Sequence, residues 1–282
     1  KEGIRKTINY LISEKVNGLY ITGSTGETFL MSQDEKKQVI EIIVEEVNGR
    51  VPVIAHIGSI GTKITTELGQ YAEKVGVDAL SALPPFYYGF SNDEIFSYYK
   101  DISNTTNLPI TIYNISHAHL MDLDMLKRLA AIKNVKGVKY TAPTHFNFNK
   151  IKKEVGENFK IYSGMDEMSL SGLISGADGI IGSFYNLMPE MFVDIYAKVK
   201  EGNINAAKKI QEKINIIILY ALGKSGYPFI KMGLNWLGID SGYVRKPFTT
   251  FIDREIENTI KNDLKKLTDQ NDLSGIKFLD TI

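Results

Sequence analysis

The chain has 282 residues, of which 43% are hydrophobic and 23% charged, a composition typical of one large or two ordinary folded domains. Its 33 basic residues balance its 33 acidic residues, so its charge gives no reason to expect a nucleic acid or an anionic membrane as its main partner. Cysteine is absent, which excludes disulfides, thiolate nucleophiles and cysteine-ligated metals and permits the cytoplasmic location that we expect.

Short apolar segments rich in β-forming residues follow one another along the chain and are predicted to be strands. They lie at residues 18–22, 51–57, 78–83, 108–114, 135–140, 159–164 and 178–183. Amphipathic helical stretches separate them, and two open with a Ser-x-x-Glu capping box, Ser32 with Glu35 and Ser91 with Glu94. This alternation indicates parallel strands joined by right-handed crossovers.

The strands are preceded by a helix, because the apolar residues between 4 and 12 share one helical face. Seven strands that follow a helix with no strand before it predict an α/β fold of the (β/α)8 TIM-barrel type whose first strand is missing from the sequence. We expect the natural protein to have that strand. The competing fold is a doubly wound open sheet. The pattern after Ser183 is helical, which predicts a barrel at 1–188 and a closing helix with a helical extension at 189–282.

A loop of small residues, GSTGE, follows the first predicted strand. In a (β/α)8 barrel the active site lies at the carboxyl ends of the strands, where this loop would be. Glycine lets backbone N–H groups converge on an anion, and Ser24 and Thr25 add hydroxyl donors. The loop is therefore suited to bind a carboxylate or a phosphate. The alternative is a helix-entry turn that serves only capping.

A lysine lies within the apolar segment VKGVKY. Lys139 stands between Val138 and Tyr140, so its amine is expected to point into the barrel, whereas Lys136 is expected to be solvated. Desolvation favours the neutral amine, which attacks a carbonyl to form a Schiff base; the alternative is a lysine that extends to water. Tyr113 ends the preceding strand, so its phenol is expected beside Lys139 as a general acid and base or as a packing residue.

The motifs GSTGE, YNI and GVKYT, in this order and spacing, resemble those of the N-acetylneuraminate lyase and dihydrodipicolinate synthase superfamily. The resemblance covers nearly the whole chain, including PPFYYGFS, GMDEM and GADGIIGS. It implies a homotetrameric (β/α)8 barrel with C-terminal helices and class I aldolase chemistry on pyruvate through Lys139, without a cofactor. It also implies that Ser24 and Thr25 hold the pyruvate carboxylate. A tyrosine of PPFYYGFS, Tyr87 or else Tyr88, would cross a subunit interface to join the proton relay, although this loop could equally form only a subunit contact.

The residues near YNI and GVKYT predict the substrate within this superfamily. Dihydrodipicolinate synthases resemble YNVP followed by an arginine that binds a second carboxylate, whereas this chain has Ala118 at that position. Tyr140 and Thr141 after the lysine resemble sialic acid lyases, which implies cleavage of N-acetylneuraminate to pyruvate and N-acetylmannosamine. By this resemblance the substrate-binding residues beyond the carboxylate loop are Thr141, Gly164, Asp166, Glu167 and Ser183.

The segment SHAHL departs from the family pattern. Ser116 stands where a proline is usual, so the loop is expected to differ in shape or specificity. His117 and His119 form an H-x-H pair, which keeps a metal-dependent aldolase as an alternative although no further ligands are evident. We expect no metal, and we expect His56 to pack beneath the site.

Two more alternatives remain open. One is a related pyruvate-dependent sugar-acid aldolase or a dihydrodipicolinate synthase. The other is a sensor that binds a sugar acid without catalysis, which the fold alone permits. The pairing of Lys139 with Tyr113 argues against the sensor, because pure binding needs no amine buried beside a phenol.

Overall fold

In the computed structural model of the protein, residues 1–249 and 253–282 are described. Residues 250–252, which fall in the predicted helical extension, lie outside them. The strands are β1 (Leu19–Ile21), β2 (Val53–His56), β3 (Ala79–Ala82), β4 (Ile110–Ile115), β5 (Val135–Thr141), β6 (Lys160–Ser163) and β7 (Gly179–Ile180). A strand therefore lies at each of the seven predicted segments, and β4 and β5 each extend one residue beyond theirs.

The helices alternate with these strands and continue after the last of them. They are α1 (Glu2–Ser13), α2 (Gln33–Val47), α3 (Thr62–Val75), α4 (Asn92–Asn104), α5 (Leu123–Ala130), α6 (Asn147–Val155), α7 (Ser169–Ile174), α8 (Pro189–Lys200), α9 (Ile204–Leu222), α10 (Gly226–Trp236) and α11 (Arg254–Gln270). No helix in the described ranges is both long enough and apolar enough to cross a membrane.

All seven strands form one parallel sheet whose spatial order is the order of the chain, β1 to β7. In a doubly wound sheet the strand order reverses near the middle, so that alternative is wrong. The sequential order, with a helix between each pair of strands, is that of the (β/α)8 type. Tyr113 lies opposite Lys139 in the β4–β5 pair, and Lys139 lies opposite Tyr162 in the β5–β6 pair. These pairings place the predicted phenol and amine side by side.

The chain divides into two compact units. One consists of residues 18–181 and contains the whole sheet with α2 to α7. The other combines residues 1–17 with 182–282 and contains α1 and α8 to α11. The division at 188/189 that the sequence suggested remains a proposal.

Capping boxes fix where two helices of the sheet-containing unit begin. The Ser32 N–H donates to Glu35 Oε2 over 2.8 Å, and the Glu35 N–H donates to Ser32 Oγ over 3.2 Å at the start of α2. Ser91 and Glu94 form the same reciprocal pair at the start of α4. Both predicted boxes are confirmed. Each box satisfies two backbone donors and so fixes the residue at which its helix begins. The GSTGE segment lies before α2, and PPFYYGFS leads into α4.

The other unit joins the two ends of the chain. In α1, Ile8 and Leu11 are buried, which confirms the predicted apolar face. Gly3 has no room for a side chain, because a Cβ there would overlap the carbonyl oxygen of Asp240. Near the C-terminus, Lys277 Nζ lies 2.7 Å from a carboxylate oxygen of Glu14, directly after α1. The first helix is thus held by segments that come last in the sequence.

Candidate active site

The side chains of β5 alternate between the two faces of the sheet. The ring of Tyr140 packs edge-on against Phe148 of α6 at 5.4 Å, so it points toward the helices. Lys139, the residue before it, points to the opposite, inner face. Only 7% of Lys139 is exposed, whereas Lys136 is exposed. The predicted burial of Lys139 and solvation of Lys136 are both confirmed.

Two tyrosine rings enclose the amine of Lys139. Its Nζ lies 4.2 Å from the centre of the Tyr113 ring and 4.6 Å from the centre of the Tyr20 ring. The two rings meet edge to face, with their centres 6.1 Å apart. Tyr113 was predicted from the sequence, but Tyr20 was not. Its signal was the alternation in β1, where Leu19 and Ile21 are buried and Tyr20 between them points the other way.

His56, at the end of β2, is buried against this group. Its Nδ1 lies 3.2 Å from the Thr22 carbonyl oxygen, which can only accept, so Nδ1 carries the proton and Nε2 accepts from the Leu83 N–H over 3.4 Å. The imidazole meets the Tyr113 ring edge to face at 5.9 Å. Burial, with a smaller effect of the Lys139 charge, lowers the pKa of His56 to about 3. The prediction that His56 is a packing residue at this site is confirmed by its burial and by its contact with Tyr113.

The low pKa of His56 predicts a pH-dependent stability. In the unfolded chain the imidazole has a pKa of about 6.5, so below that pH the unfolded state binds a proton that the folded state does not. Stability is therefore full above pH 6.5 and is lost as the pH falls toward the folded value of about 3. Between pH 6.5 and 5 this one group should remove about 2 kcal/mol from the free energy of unfolding.

The measurement is denaturant unfolding of the wild type and of His56→Gln at pH 7 and at pH 5. His56→Gln removes the titrating group, so its free energy of unfolding should fall less between the two pH values. Equal losses in both proteins would show that His56 is not the neutral, buried group described above.

The loop after β1 has a strained but well-bonded backbone. Thr22 and Glu27 have φ values of 52° and 58°, in the left-handed region that residues other than glycine seldom adopt. Thr22 Oγ1 lies 2.7 Å from the carbonyl oxygens of both Ile21 and His56, and its one proton can be donated to either of them. The Glu27 N–H donates to the Ser24 carbonyl oxygen over 2.9 Å. These bonds fix the loop at the carboxyl end of β1, where the sequence predicted it.

Ser24 and Thr25 are half-buried at this loop. The loop reaches the lysine through Tyr20, because a Cβ on Gly23 would lie 2.8 Å from Cε1 of that ring. The loop thus lies next to the Tyr20 ring, and that ring lies against the amine of Lys139. The carboxylate role predicted for Ser24 and Thr25 stays a prediction.

Thr141 lies two residues after Lys139 on the same face of β5. Its hydroxyl is buried and finds no hydrogen-bond partner among residues 1–249 and 253–282. Gly164 lies directly against it: the Gly164 N–H donates to the Tyr140 carbonyl over 2.9 Å, and a Cβ at 164 would overlap the Thr141 hydroxyl. An unsatisfied buried hydroxyl costs about 1–3 kcal/mol, so a polar ligand that bonded to it would recover that cost.

Asp166 and Glu167 follow β6, the strand next to that of Lys139. They begin a short 3₁₀ helix, Asp166–Met168, and Asp166 is 7% exposed. Ser169 Oγ donates to the Asp166 carbonyl oxygen over 2.9 Å, which holds this turn. Burial lowers the pKa of His145, and the nearby Glu167 carboxylate partly offsets that shift. Two predicted carboxylates therefore lie at the carboxyl end of a strand beside the lysine.

Ser183 follows β7 and belongs to the other compact unit. Its carbonyl oxygen accepts from the Asn186 N–H over 3.2 Å and from Asn186 Nδ2 over 2.9 Å. Its predicted contact with the substrate stays a prediction.

The PPFYYGFS loop has two exposed tyrosines and one phenylalanine that packs toward the site. Tyr87 and Tyr88 are 85% and 65% exposed, and their rings contact each other at 5.0 Å. Tyr87 also has a φ of 79°, in the left-handed region that residues other than glycine seldom adopt. Phe86 instead meets Phe29 at 4.8 Å and packs against the cluster that contains Tyr113. A role for Tyr87 in catalysis requires a second subunit and stays a prediction.

The SHAHL segment also divides into buried and exposed positions. Ala118 is buried with Leu83 and Tyr113 in one small apolar cluster. His117 and His119 are exposed, like Ser116 before them. No group of three or more histidine, aspartate or glutamate side chains in the described part of the chain is arranged to hold a metal ion.

Comparison with known proteins gives one family. A family model described as the dihydrodipicolinate synthetase family matches residues 1–267. An N-acetylneuraminate lyase from Fusobacterium nucleatum is 38% identical over 260 residues, which are 91% of this chain and 89% of that protein.

Solved structures of relatives share the fold of this chain and differ in their sequence identity to it. CdNal from Clostridium difficile, solved in complex with mannosamine, is 36% identical with a TM-score of 0.90, over 94% of this chain and 91% of its own. A dihydrodipicolinate synthase is 30% identical with a TM-score of 0.86, over 94% of this chain and 92% of its own. The predicted (β/α)8 fold with C-terminal helices is thus confirmed. Both structures superpose closely on this chain, so the fold alone does not distinguish a lyase from a dihydrodipicolinate synthase.

Proposed function

Because the chain belongs to the dihydrodipicolinate synthetase family, we propose that it is a carbon–carbon lyase, a class I aldolase that cleaves N-acetylneuraminate to pyruvate and N-acetylmannosamine. One observation carries this proposal: the buried amine of Lys139 lies against the ring of Tyr113, with Nζ 4.2 Å from the ring centre. Cleavage through a Schiff base requires a nucleophilic amine and a group that transfers a proton, and a phenol can be that group.

In the proposed reaction, Lys139 attacks the ketone of the substrate and water leaves, so the substrate becomes an iminium ion on the enzyme. Ser24 and Thr25 hold the adjacent carboxylate through hydroxyl and backbone donors. Tyr113 accepts the proton of the carbinol hydroxyl, and the carbon–carbon bond breaks because the iminium takes up the electron pair. The resulting enamine is reprotonated and hydrolysed, which releases pyruvate and restores the amine.

The sugar tail would bind beyond the lysine. Asp166 and Glu167 are suited to accept hydrogen bonds from adjacent hydroxyls of the glycerol chain. Thr141 provides a buried hydroxyl without a partner in the described chain, and Gly164 gives it the space to remain there. Ser183 is the remaining proposed contact.

Cleavage is favoured over dihydrodipicolinate synthesis by Ala118. The family resemblance places an arginine of the synthases at this position, where it binds a second carboxylate. Here the side chain is a methyl group buried in the cluster with Tyr113, so it provides no charge. The higher identity to the lyase, 38% against 30% for the synthase, supports the same choice.

We also propose a homotetramer in the cytoplasm. The exposed pair Tyr87 and Tyr88 supports a subunit contact at the PPFYYGFS loop, because two large aromatic side chains lie together on the surface. In that assembly Tyr87 of one subunit would join the proton relay of another.

The proposal predicts a preference for the longer sugar acid. N-acetylneuraminate should be cleaved with a kcat/KM at least about tenfold higher than that of 2-keto-3-deoxygluconate, since the shorter acid cannot reach Asp166 and Glu167. The measurement is pyruvate release from each acid at matched concentrations.

Asp166→Ala tests whether this preference depends on the Asp166 carboxylate. It should weaken cleavage of N-acetylneuraminate mainly through a higher KM, by about 10- to 100-fold in kcat/KM, and should leave the shorter acid almost unaffected. Faster cleavage of the six-carbon acid by the wild type would replace the lyase assignment with a related sugar-acid aldolase.

A further inference from the structure

The amine of Lys139 faces a second aromatic ring that the reaction described above does not use. Its Nζ lies 4.6 Å from the centre of the Tyr20 ring, nearly as close as the 4.2 Å that separates it from the centre of the Tyr113 ring. Aromatic faces carry partial negative charge, so a cation at this nitrogen is attracted by both rings. The nitrogen is therefore in an aromatic enclosure built from β1 and β4.

The position of the Tyr20 ring is fixed from two sides. Its hydroxyl lies 2.9 Å from Oγ of Ser81, a fully buried residue of β3. On the other side lies Gly23, where a Cβ would stand 2.8 Å from Cε1 and 3.2 Å from Cδ1 of the ring. Gly23 does not have a positive φ. The ring of Tyr20, rather than backbone conformation, explains why this position holds glycine.

The proposed chemistry creates a full positive charge at this nitrogen. The Lys139 nitrogen forms a bond to the ketone carbon, one proton is taken up from solvent, and the ketone oxygen leaves as water. The product is a protonated imine, so the nitrogen is cationic before the carbon–carbon bond breaks and again after the enamine is reprotonated.

We propose that Tyr20 is a further functional residue of this site, whose ring face stabilises the cationic imine on Lys139, and that Ser81 and Gly23 hold the ring in place for this task. The inference rests on the proposed function, because it assigns Tyr20 to the Schiff-base step. Tyr20 transfers no proton in this step, so its hydroxyl is needed only to position the ring.

The test replaces Tyr20 with phenylalanine and with phenylalanines that carry one, two and three ring fluorines. Fluorine withdraws charge from the ring face and changes its size little, so the series weakens a cation–π interaction in steps while packing is preserved. For each protein, borohydride trapping at increasing pyruvate concentrations gives the concentration at which half of the enzyme forms the imine.

Tyr20→Phe should stay within about threefold of the wild type, and the half-trapping concentration should then rise with each fluorine, by about 5- to 30-fold across the series. The same fluorinated residues at position 140, where the ring packs against Phe148, should give no such trend.

Values that stay within about twofold across the fluorinated series at position 20 would overturn the role of Tyr20. If the wild type forms no imine at all, it is instead the proposed Schiff-base function that fails. Gly23→Ala adds a second test, because the new methyl group displaces the ring. It should raise the half-trapping concentration in the protein with Tyr20, and it should have much less effect when position 20 is leucine.

Discussion

Replacing Lys139 with arginine should abolish both cleavage of N-acetylneuraminate and trapping of pyruvate. A guanidinium remains protonated at any pH the protein tolerates, so Lys139→Arg places a positive charge between the two rings but removes the nucleophile. Loss of a nucleophile costs on the order of 10⁴- to 10⁶-fold in turnover. The measurement is the rate of pyruvate release at saturating substrate.

Lys136→Arg is the matched control, because it makes the same change on the same strand at an exposed position. It should leave turnover unchanged. Retained activity in Lys139→Arg, or equal losses in the two variants, would contradict the assignment of Lys139 as the nucleophile.

Replacing Tyr113 with phenylalanine should lower turnover by about 10²- to 10⁴-fold, the usual contribution of a general acid or base. The ring remains against Lys139, so imine formation should continue and pyruvate should still be trapped by borohydride. The two measurements together separate bond cleavage, which needs the phenol, from imine formation, which needs it much less.

Tyr140→Phe is the control for this change. Tyr140 is also a buried tyrosine of the same region, but its hydroxyl pairs with Thr144 Oγ1 over 2.8 Å on the helix side of the sheet. Its loss should reduce stability by about 1 kcal/mol and leave turnover nearly intact. Near-normal turnover in Tyr113→Phe would mean that another group accepts the proton, with Tyr87 or the substrate's own carboxylate as the next candidates.

The fold could be predicted from the sequence because its signal is repeated. Each strand is a short apolar run, and each is followed by an amphipathic stretch, two of which begin with a capping box. Lys139 stood out for a related reason: a charged residue within an apolar strand must be buried, so its position requires a chemical explanation. The register of β4 and β5 places Tyr113 opposite Lys139, as predicted from the position of Tyr113 at the end of the preceding strand.

Other parts of the site could not be predicted in the same way. Tyr20 is an ordinary aromatic residue for a strand, and only its distance to Lys139 distinguishes it from a packing residue. The role of Gly23 is likewise invisible in the sequence, because it depends on a ring from β1 that occupies the space of its missing side chain. The predicted role of Tyr87 in the proton relay depends on a second chain, because its side chain is exposed in this one.

The most direct test of Lys139 as the Schiff-base nucleophile is to treat the wild-type protein with borohydride in the presence of pyruvate and to map the modified peptide by mass spectrometry. We predict that a peptide containing Lys139 gains the mass of a reduced pyruvyl group, and that Lys139→Arg gains none. A label on a different lysine, or no label together with activity that a chelator abolishes, would contradict it.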